Sequence, residues 1–129
     1  MQAAVFGSDA GIDLHARYRL VLDPGERSAV PTGVAVAIPA GYVGMVTPRS
    51  GLAARHGIGI VNSPGIVDSG YRGEIRVILA NHGEAPVTLD RGERIAQMVV
   101  APVAAASLVE VEDLPASVRG EDGFGSTGR

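Results

Sequence analysis

Cysteine, lysine and tryptophan are all absent from this sequence of 129 residues. Without cysteine the chain has no disulfide bond, no thiol nucleophile and no cysteine-bound zinc. All 11 basic residues are therefore arginine, and the net charge is −3 with no basic run. A protein that binds duplex nucleic acid needs clustered cations to displace counterions from the phosphates. The composition argues against nucleic-acid binding and leaves small anions as possible ligands.

Long apolar runs are also missing. No segment approaches the roughly 20 apolar residues that span a bilayer, and the start, Met1 to Phe6, lacks a basic region followed by an apolar stretch. We therefore expect no leader, no membrane association and a cytoplasmic location. The length fits one domain with a single core. Aromatic residues make up only 4% of the chain, so valine, isoleucine, leucine and alanine must fill that core.

The 18 glycines and 8 prolines divide the chain into short apolar segments rich in β-branched residues. This pattern predicts an all-β fold, either a sandwich, a jelly roll or a small barrel, because such folds limit exposed sheet edges. The segment Pro64 to Val67 is too short to assign. The predicted strands are Ile12 to Ala16, Arg19 to Leu22, Ser28 to Ile38, Val43 to Thr47, Ile58 to Val61, Glu74 to Asn81, Val87 to Leu89, Arg94 to Val100 and Ser107 to Val111.

One short helix is predicted from Ser50 to His56, with Ser50 as its cap and Gly57 ending it. It opens with the segment Pro48 to Ala53, which carries a cation, a hydroxyl and a glycine. Free backbone N–H groups at a helix start favour an anion, so the segment resembles a phosphate cradle. An ordinary helix start with a solvated arginine explains it equally well.

Two turn clusters between Asn62 and Gly73 indicate a β-hairpin with a pocket at its mouth. Asp68 has the chemistry of a general base that takes a proton from an attacking water. It is also a common residue type at the start of a turn. Tyr71 offers an apolar ring and a polar tip that suit a sugar, or it is a half-buried aromatic residue of a strand.

Two further segments carry polar groups whose roles stay open. Gln97 interrupts an apolar strand, and its amide must pair with backbone or face a polar ligand. From Pro115 onward the strand pattern ends, which favours a disordered tail. Phe124 among glycines nevertheless suits a segment that orders over a ligand, with backbone N–H groups on phosphate and the ring on a base. His15, His56 and His82 lack metal-ligand spacing, so no zinc site is predicted.

In chain order these segments resemble the five motifs of the trimeric dUTPase family, and the resemblance covers nearly the whole sequence. It implies a distorted β jelly roll with one short helix, a core over residues 1–114 and a glycine-rich lid over residues 115–129. It also implies a homotrimer with active sites shared between subunits. The motifs are Asp9 to Leu14, Pro48 to Ala53, Asn62 to Glu74, Gly92 to Gln97 and Arg119 to Gly128.

The activity that this resemblance implies is hydrolysis of dUTP to dUMP and pyrophosphate with Mg²⁺, which keeps uracil out of DNA and supplies dUMP for dTMP synthesis. Asp68 would activate the water that attacks the α-phosphorus. Tyr71 would lie on the deoxyribose and reject UTP. The metal would be held by the triphosphate and water, with Asp13 supporting that shell or the site's hydrogen bonds. The uracil would be read at Asn62, Gly65 and Val67, the phosphates at Arg49, Ser50, Gly51 and Gln97, and the lid would add Arg119, Phe124, Gly125, Ser126 and Thr127.

Two departures from the family pattern are visible. The chain begins only a few residues before the first motif, where family members have a further N-terminal strand, so we expect an incomplete sheet edge or a misplaced start. Asp122 stands where the family more often has glycine, which brings a carboxylate near the lid.

Three rival functions were weighed. A dCTP deaminase relative would need a catalytic glutamate in the strand after the hairpin, and the aligned position holds Ile78. A non-catalytic dUTP sensor or regulatory protein would have no need of both Asp68 and the tail. A purely structural jelly roll would explain the strands but not the combination of Asp68, Tyr71 and the tail.

Overall fold

The computed structural model describes residues 9–128. It contains nine strands and one short helix, which confirms the all-β prediction. In chain order the elements are β1 Gly11–His15, β2 Leu20–Leu22, β3 Arg27–Ala35, β4 Tyr42–Thr47, α1 Ser50–His56, β5 Ile58–Ile60, β6 Gly65–Val67, β7 Glu74–Asn81, β8 Val87–Leu89 and β9 Arg94–Pro102.

Three antiparallel sheets build the jelly roll. The largest has the order β1-β9-β4-β6, a second joins β3, β7 and β5, and the third pairs β2 with β8. Strands distant in sequence are neighbours in every sheet, so the fold depends on long-range pairing. The first and last described strands, β1 and β9, lie side by side in the largest sheet.

The core lies between these sheets and is aliphatic, as the composition predicts. Alternating burial along β7 places Ile75, Val77 and Leu79 inside, each at most 3% exposed. A buried polar residue, Asn81, ends this strand and is fully paired: its side-chain N–H groups donate to Leu22 O and Ala85 O, both at 2.9 Å. Its Oδ1 accepts from Gly83 N at 2.8 Å. A buried amide with all its partners fixes the neighbouring turns without a desolvation penalty.

Four predictions about the elements need correction or completion. The predicted strand Ser107 to Val111 is wrong, since its apolar residues are exposed and no strand pairs with them in the described chain. The strand predicted to reach Ile38 ends at Ala35, after a register shift beyond Pro31. Ser50 is the first helical residue and Arg49 the N-cap, so the predicted serine cap is wrong. The unassigned Pro64 to Val67 contains strand β6.

The helix end is as predicted, because Gly57 closes α1 with left-handed backbone at φ 67°. Within residues 9–128 no helix has the length and apolar character needed to cross a membrane. The expectations about a leader at residues 1–6 and about a further N-terminal strand lie outside the described residues.

Candidate active site

Three motifs meet on the largest sheet. Gln97 of β9 pairs with Asp13 of β1 on one side and with Thr47 of β4 on the other. Directly opposed residues in antiparallel strands point to the same face and lie about 5 Å apart. The row Asp13, Gln97 and Thr47 therefore leads across the sheet to the entrance of α1, which follows β4 directly.

Arg49 and Asp13 form an ion pair at this entrance. The Arg49 guanidinium donates to one carboxylate oxygen of Asp13, and both side chains are about three-quarters buried. The other oxygen of Asp13 lies 3.6 Å from Nη1 of Arg94. Two arginines and one aspartate leave this cluster with a net charge of +1. It therefore attracts an anion, and Asp13 holds the two cations in place.

Arg94 is a residue that the sequence interpretation missed. Its side chain is 58% exposed, beside the Arg49–Asp13 pair, so it is accessible to a ligand. One sequence signal points toward it, since a carboxylate at an anion site needs compensating cations beside it.

The start of α1 adds backbone donors to the cluster. Arg49 makes no side-chain capping hydrogen bond, and the first turn contains no acidic residue. The N–H groups of Ser50 and Gly51 precede the first helical bond, which Ala53 N makes to Arg49 O at 3.1 Å. Such uncapped groups carry the partial positive charge that favours phosphate.

The Gln97 amide takes the first of the two roles left open for it. Its Nε2 donates to Pro48 O at 3.3 Å, so it ties β9 to the segment that enters α1. Its Oε1 lies over Gly11, where a Cβ would approach it to 2.5 Å. Glycine in the first motif thus leaves room for the amide of the fourth motif.

The hairpin forms a second group. Asn62, Gly65, Val67 and Tyr71 line one hollow of about 140 Å³, room for several waters or one small ring. Strand β6 pairs only with β4 in the part of the chain that the structure describes. One edge of β6 therefore keeps free N–H and C=O groups for a ligand. Ile78 also lines the hollow and brings no acid or base to it.

Tyr71 stands at the rim of this hollow. Its ring is 45% exposed, and its hydroxyl donates to Glu74 O at 2.8 Å. Its backbone N–H donates to Asp68 O at 3.0 Å, which closes the turn between the two residues. The turn role and the ligand role of Asp68 are thus compatible, since the turn uses its backbone and leaves its exposed carboxylate free.

Asp68 and the cationic cluster lie at opposite ends of β4. Val67, the residue before Asp68, pairs with Gly44, whereas Arg49 follows five residues later along extended backbone. At about 3.3 Å per residue this corresponds to roughly 16 Å along the strand. One chain does not bring the candidate base and the candidate phosphate ligands together.

The tail forms a third, separate group. From residue 102 to 122 every residue is exposed, and Phe124 protrudes fully with φ 49°. The Arg119 Nε donates to Asp122 O at 2.6 Å, and Ser126 N donates to Gly123 O at 3.1 Å. These bonds fold the tail on itself. Within residues 9–128 no hydrogen bond or ion pair joins 115–128 to the core.

The described residues offer no protein cage for a metal ion. Among residues 9–128 no three histidine, aspartate or glutamate side chains come close enough together to hold one. Both carboxylate oxygens of Asp13 already face arginines.

Comparison with known proteins decides the family. The dUTPase family model matches residues 6–128. The chain belongs to the dUTPase family. A deoxyuridine 5'-triphosphate nucleotidohydrolase of Anaeromyxobacter sp. (strain Fw109-5) is 61% identical over 120 residues, covering 93% of this chain and 82% of that protein. The protein of the same name from Cutibacterium acnes is 60% identical over 121 residues, covering 93% and 80%.

Solved dUTPase structures share the fold. A mutant dUTPase of Staphylococcus bacteriophage 80alpha, determined with dUpNHpp, superposes with a TM-score of 0.92 at 32% identity, covering 100% of this chain and 92% of that one. A mutant dUTPase of phage phi11 of S. aureus, described as coordinating a structural Mg(II) ion, gives a TM-score of 0.80 at 27% identity, covering 88% and 90%.

Proposed function

We propose that this chain is a dUTP diphosphatase that works as a homotrimer, hydrolysing dUTP to dUMP and pyrophosphate. The same proposal includes a cytoplasmic location, where the nucleotide is found. The observation that carries it is the hollow at the free edge of β6, with Tyr71 at its rim and Asp68 directly after the strand.

Base selection follows from this edge. An extended strand presents N–H and C=O groups side by side, the same donor and acceptor types that a pyrimidine finds on a pairing partner. Uracil bound at Gly65 and Val67, with the Asn62 amide beside it, is read by hydrogen bonds. A thymine methyl or a cytosine amino group leaves buried polar groups unpaired or meets the wall of the hollow, and such mismatches are rejected strongly.

Sugar and water come next along the hairpin. Tyr71 lies against the deoxyribose, where a 2′-hydroxyl has no room. The carboxylate of Asp68 accepts a proton from a water molecule while the oxygen of that water attacks the α-phosphorus. The bond from that phosphorus to the bridging oxygen breaks, and pyrophosphate leaves in line with the attacking water.

Cationic and N–H groups at the entrance of α1 stabilise the negative charge of the phosphates. Arg49 and the backbone N–H groups of Ser50 and Gly51 lie at this entrance, and Gln97 is tied to it through its hydrogen bond to Pro48 O. Preorganised donors of this kind stabilise charge that develops in a transition state. We add Arg94 to this set, because Asp13 holds it next to Arg49.

A trimer can bring together the hairpin and the cationic cluster, which lie apart within one chain. Since the hairpin of Asp68 and the cluster of Arg49 are roughly 16 Å apart along β4, we infer that each site takes its hairpin from one subunit and its cationic cluster from another. The self-contained tail, residues 115–129, supplies Arg119, Phe124, Gly125, Ser126 and Thr127 as a lid. Ordering of such a segment excludes bulk water.

Mg²⁺ fits this site as an ion whose ligands are oxygens of the triphosphate. The engaged oxygens of Asp13 and the lack of a carboxylate cluster in the described residues favour a metal held by phosphate oxygens and water, a mode that Mg²⁺ prefers. When bound, it neutralises phosphate charge.

The test is pyrophosphate release with Mg²⁺ from dUTP, dTTP, dCTP and UTP, measured side by side on the purified protein. Release from dUTP alone is expected. Release of ammonia from dCTP would favour a deaminase. Binding of dUTP without release of pyrophosphate from any of the four would contradict the proposal and favour a sensor.

A further inference from the structure

The ring of Tyr71 lies directly on the backbone of Gly73. A Cβ built on Gly73 would lie 2.5 Å from the Tyr71 hydroxyl oxygen, 2.7 Å from Cζ and 3.1 Å from Cε2. Real Cβ atoms essentially never approach other atoms within 3.0 Å. Tyr71 therefore holds its present position only because residue 73 has no side chain.

We propose that Gly73 is a specificity-determining residue that positions Tyr71 for the rejection of ribonucleotides. The inference depends on the proposed function, in which the Tyr71 ring lies on the deoxyribose. Gly73 touches neither substrate nor the reacting atoms. It acts by leaving room for the tyrosine ring beside its backbone.

Glu74 provides the other half of this arrangement. Its carbonyl oxygen accepts the Tyr71 hydroxyl at 2.8 Å. Its carboxylate accepts the N–H of Gly33 at 2.8 Å and lies 3.6 Å from Nη1 of Arg17. Glu74, which accepts the tyrosine hydroxyl, is thus tied to Gly33 in the irregular part of β3. With the hydroxyl anchored and the ring on a glycine, Tyr71 has little freedom to turn.

A side chain at position 73 displaces the tyrosine rather than the fold. The atoms that block the Cβ are all at the far end of one exposed side chain, which has only two torsions to change. The backbone of Gly73 has no positive φ, so alanine is sterically allowed there. Gly73→Ala should therefore keep the protein folded while it breaks the hydrogen bond to Glu74 O.

The neighbouring Gly70 offers a matched control. It lies in the same turn, its φ is not in the left-handed region, and nothing lies within 4 Å of a Cβ built on it. Gly70→Ala makes the same chemical change without touching the tyrosine ring.

The experiment measures kcat/KM for dUTP and for UTP in the wild type, Gly73→Ala and Gly70→Ala. A pocket rejects one added hydroxyl by a factor of order 10². We expect Gly73→Ala to lower the ratio of kcat/KM for dUTP to kcat/KM for UTP by about tenfold. Gly70→Ala should leave the ratio within about twofold. An unchanged ratio in Gly73→Ala would overturn the proposal.

A second background separates positioning from a general structural effect. In Tyr71→Ala the ring is gone, so adding Gly73→Ala should change the dUTP/UTP ratio no further. A further loss of about tenfold in the double variant would show that Gly73 acts without the tyrosine and would overturn the proposal. Failure of Gly73→Ala to fold would overturn it too, because the backbone would then be what needs glycine.

A crystal structure of free Gly73→Ala gives a readout independent of activity. We expect the Tyr71 hydroxyl to have left Glu74 O, with the backbone of the hairpin unchanged. An unmoved ring would contradict the inference. A wild-type protein that does not hydrolyse dUTP would refute the proposed function instead, and the ring position would still test whether Gly73 seats Tyr71.

Discussion

The sheet core and the C-terminal tail of this protein are built in opposite ways. In the core, β9 lies between β1 and β4, and the side chains of Ile95, Ala96 and Met98 are at most 3% exposed. In the tail, every hydrogen bond seen within residues 115–128 is local and Phe124 is fully exposed. The core is held by contacts between residues far apart in sequence, and the tail by turns of a few residues.

This contrast explains how the work is divided. The proposed phosphate ligands Arg49 and Gln97, and Asp13 beside them, stand on paired strands or at a helix start. The residues that we propose as the lid belong to a segment whose described hydrogen bonds are all local, so it can open at low cost in stability. We therefore propose that the core performs the chemistry and that the tail closes the site.

The largest effect should come from the chemistry in the core. Asp68→Asn should lower the rate of dUTP hydrolysis by about 10² to 10⁴, the usual contribution of a positioned general base, while dUTP binding and the melting temperature stay near wild type. Steady-state kinetics and calorimetric titration check this.

Asp23→Asn is the matched control for that substitution. Asp23 is exposed in a turn that its backbone closes with Glu26, so this variant should hydrolyse dUTP at the normal rate. Near-normal turnover in Asp68→Asn would show that Asp68 is not the general base.

Removal of all residues after Ala116 should give the next largest loss, roughly 10² in kcat/KM, because a site that stays open misplaces its reacting groups. The melting temperature should stay near wild type, since no hydrogen bond or ion pair joins residues 115–128 to the core in the described part of the chain. Full activity of the truncated protein would refute the lid.

A matched pair of valines tests the contrast by stability. Val77 is 1% exposed and Val118 fully exposed. Val77→Ala should lower the free energy of unfolding by about 2–3 kcal/mol through lost burial and a new cavity. Val118→Ala should change it by no more than about 0.5 kcal/mol. Equal losses in chemical denaturation would show that the tail is packed as firmly as the core.

Loss of one aromatic ring from the tail should have the smallest of the expected effects on the reaction with dUTP. Phe124→Ala should weaken the binding of dUTP by about tenfold, which is at the lower end of what stacking of a base on an aromatic ring contributes. Phe124→Tyr should bind dUTP about as well as the wild type. Measured KM values that do not differ between the two variants would remove the stacking role.

Sequence patterns predicted the core well and the tail poorly for the same physical reason. Strand β7 has the predicted bounds, Glu74 to Asn81, because its alternating apolar residues have a core to face. Ser107 to Val111 has a similar composition but no partner strand in the described chain, so it stays irregular. A strand requires a neighbour, and a local pattern does not say whether one is present.

The site shows the same limit. The family resemblance implied phosphate contacts for Arg49 and Gln97 and a supporting role for Asp13, but their mutual contacts arise from pairing between β1, β9 and β4 that no local pattern reveals. Arg94 was not predicted because its proximity to Asp13 arises from the folded arrangement and not from a local pattern. The serine cap at Ser50 was wrong because a preference for caps does not fix a helix boundary to one residue.

The central claim is that each active site takes its parts from different subunits, and we extend it to the base and the lid, which we expect to come from two different copies. The most direct test mixes Asp68→Asn subunits with subunits that end at Ala116, by unfolding and refolding the two together. If base and lid come from different copies, each mixed trimer regains about one third of its sites, and dUTP hydrolysis rises well above that of either variant alone. Activity no higher than the sum of the two separate variants would contradict the account.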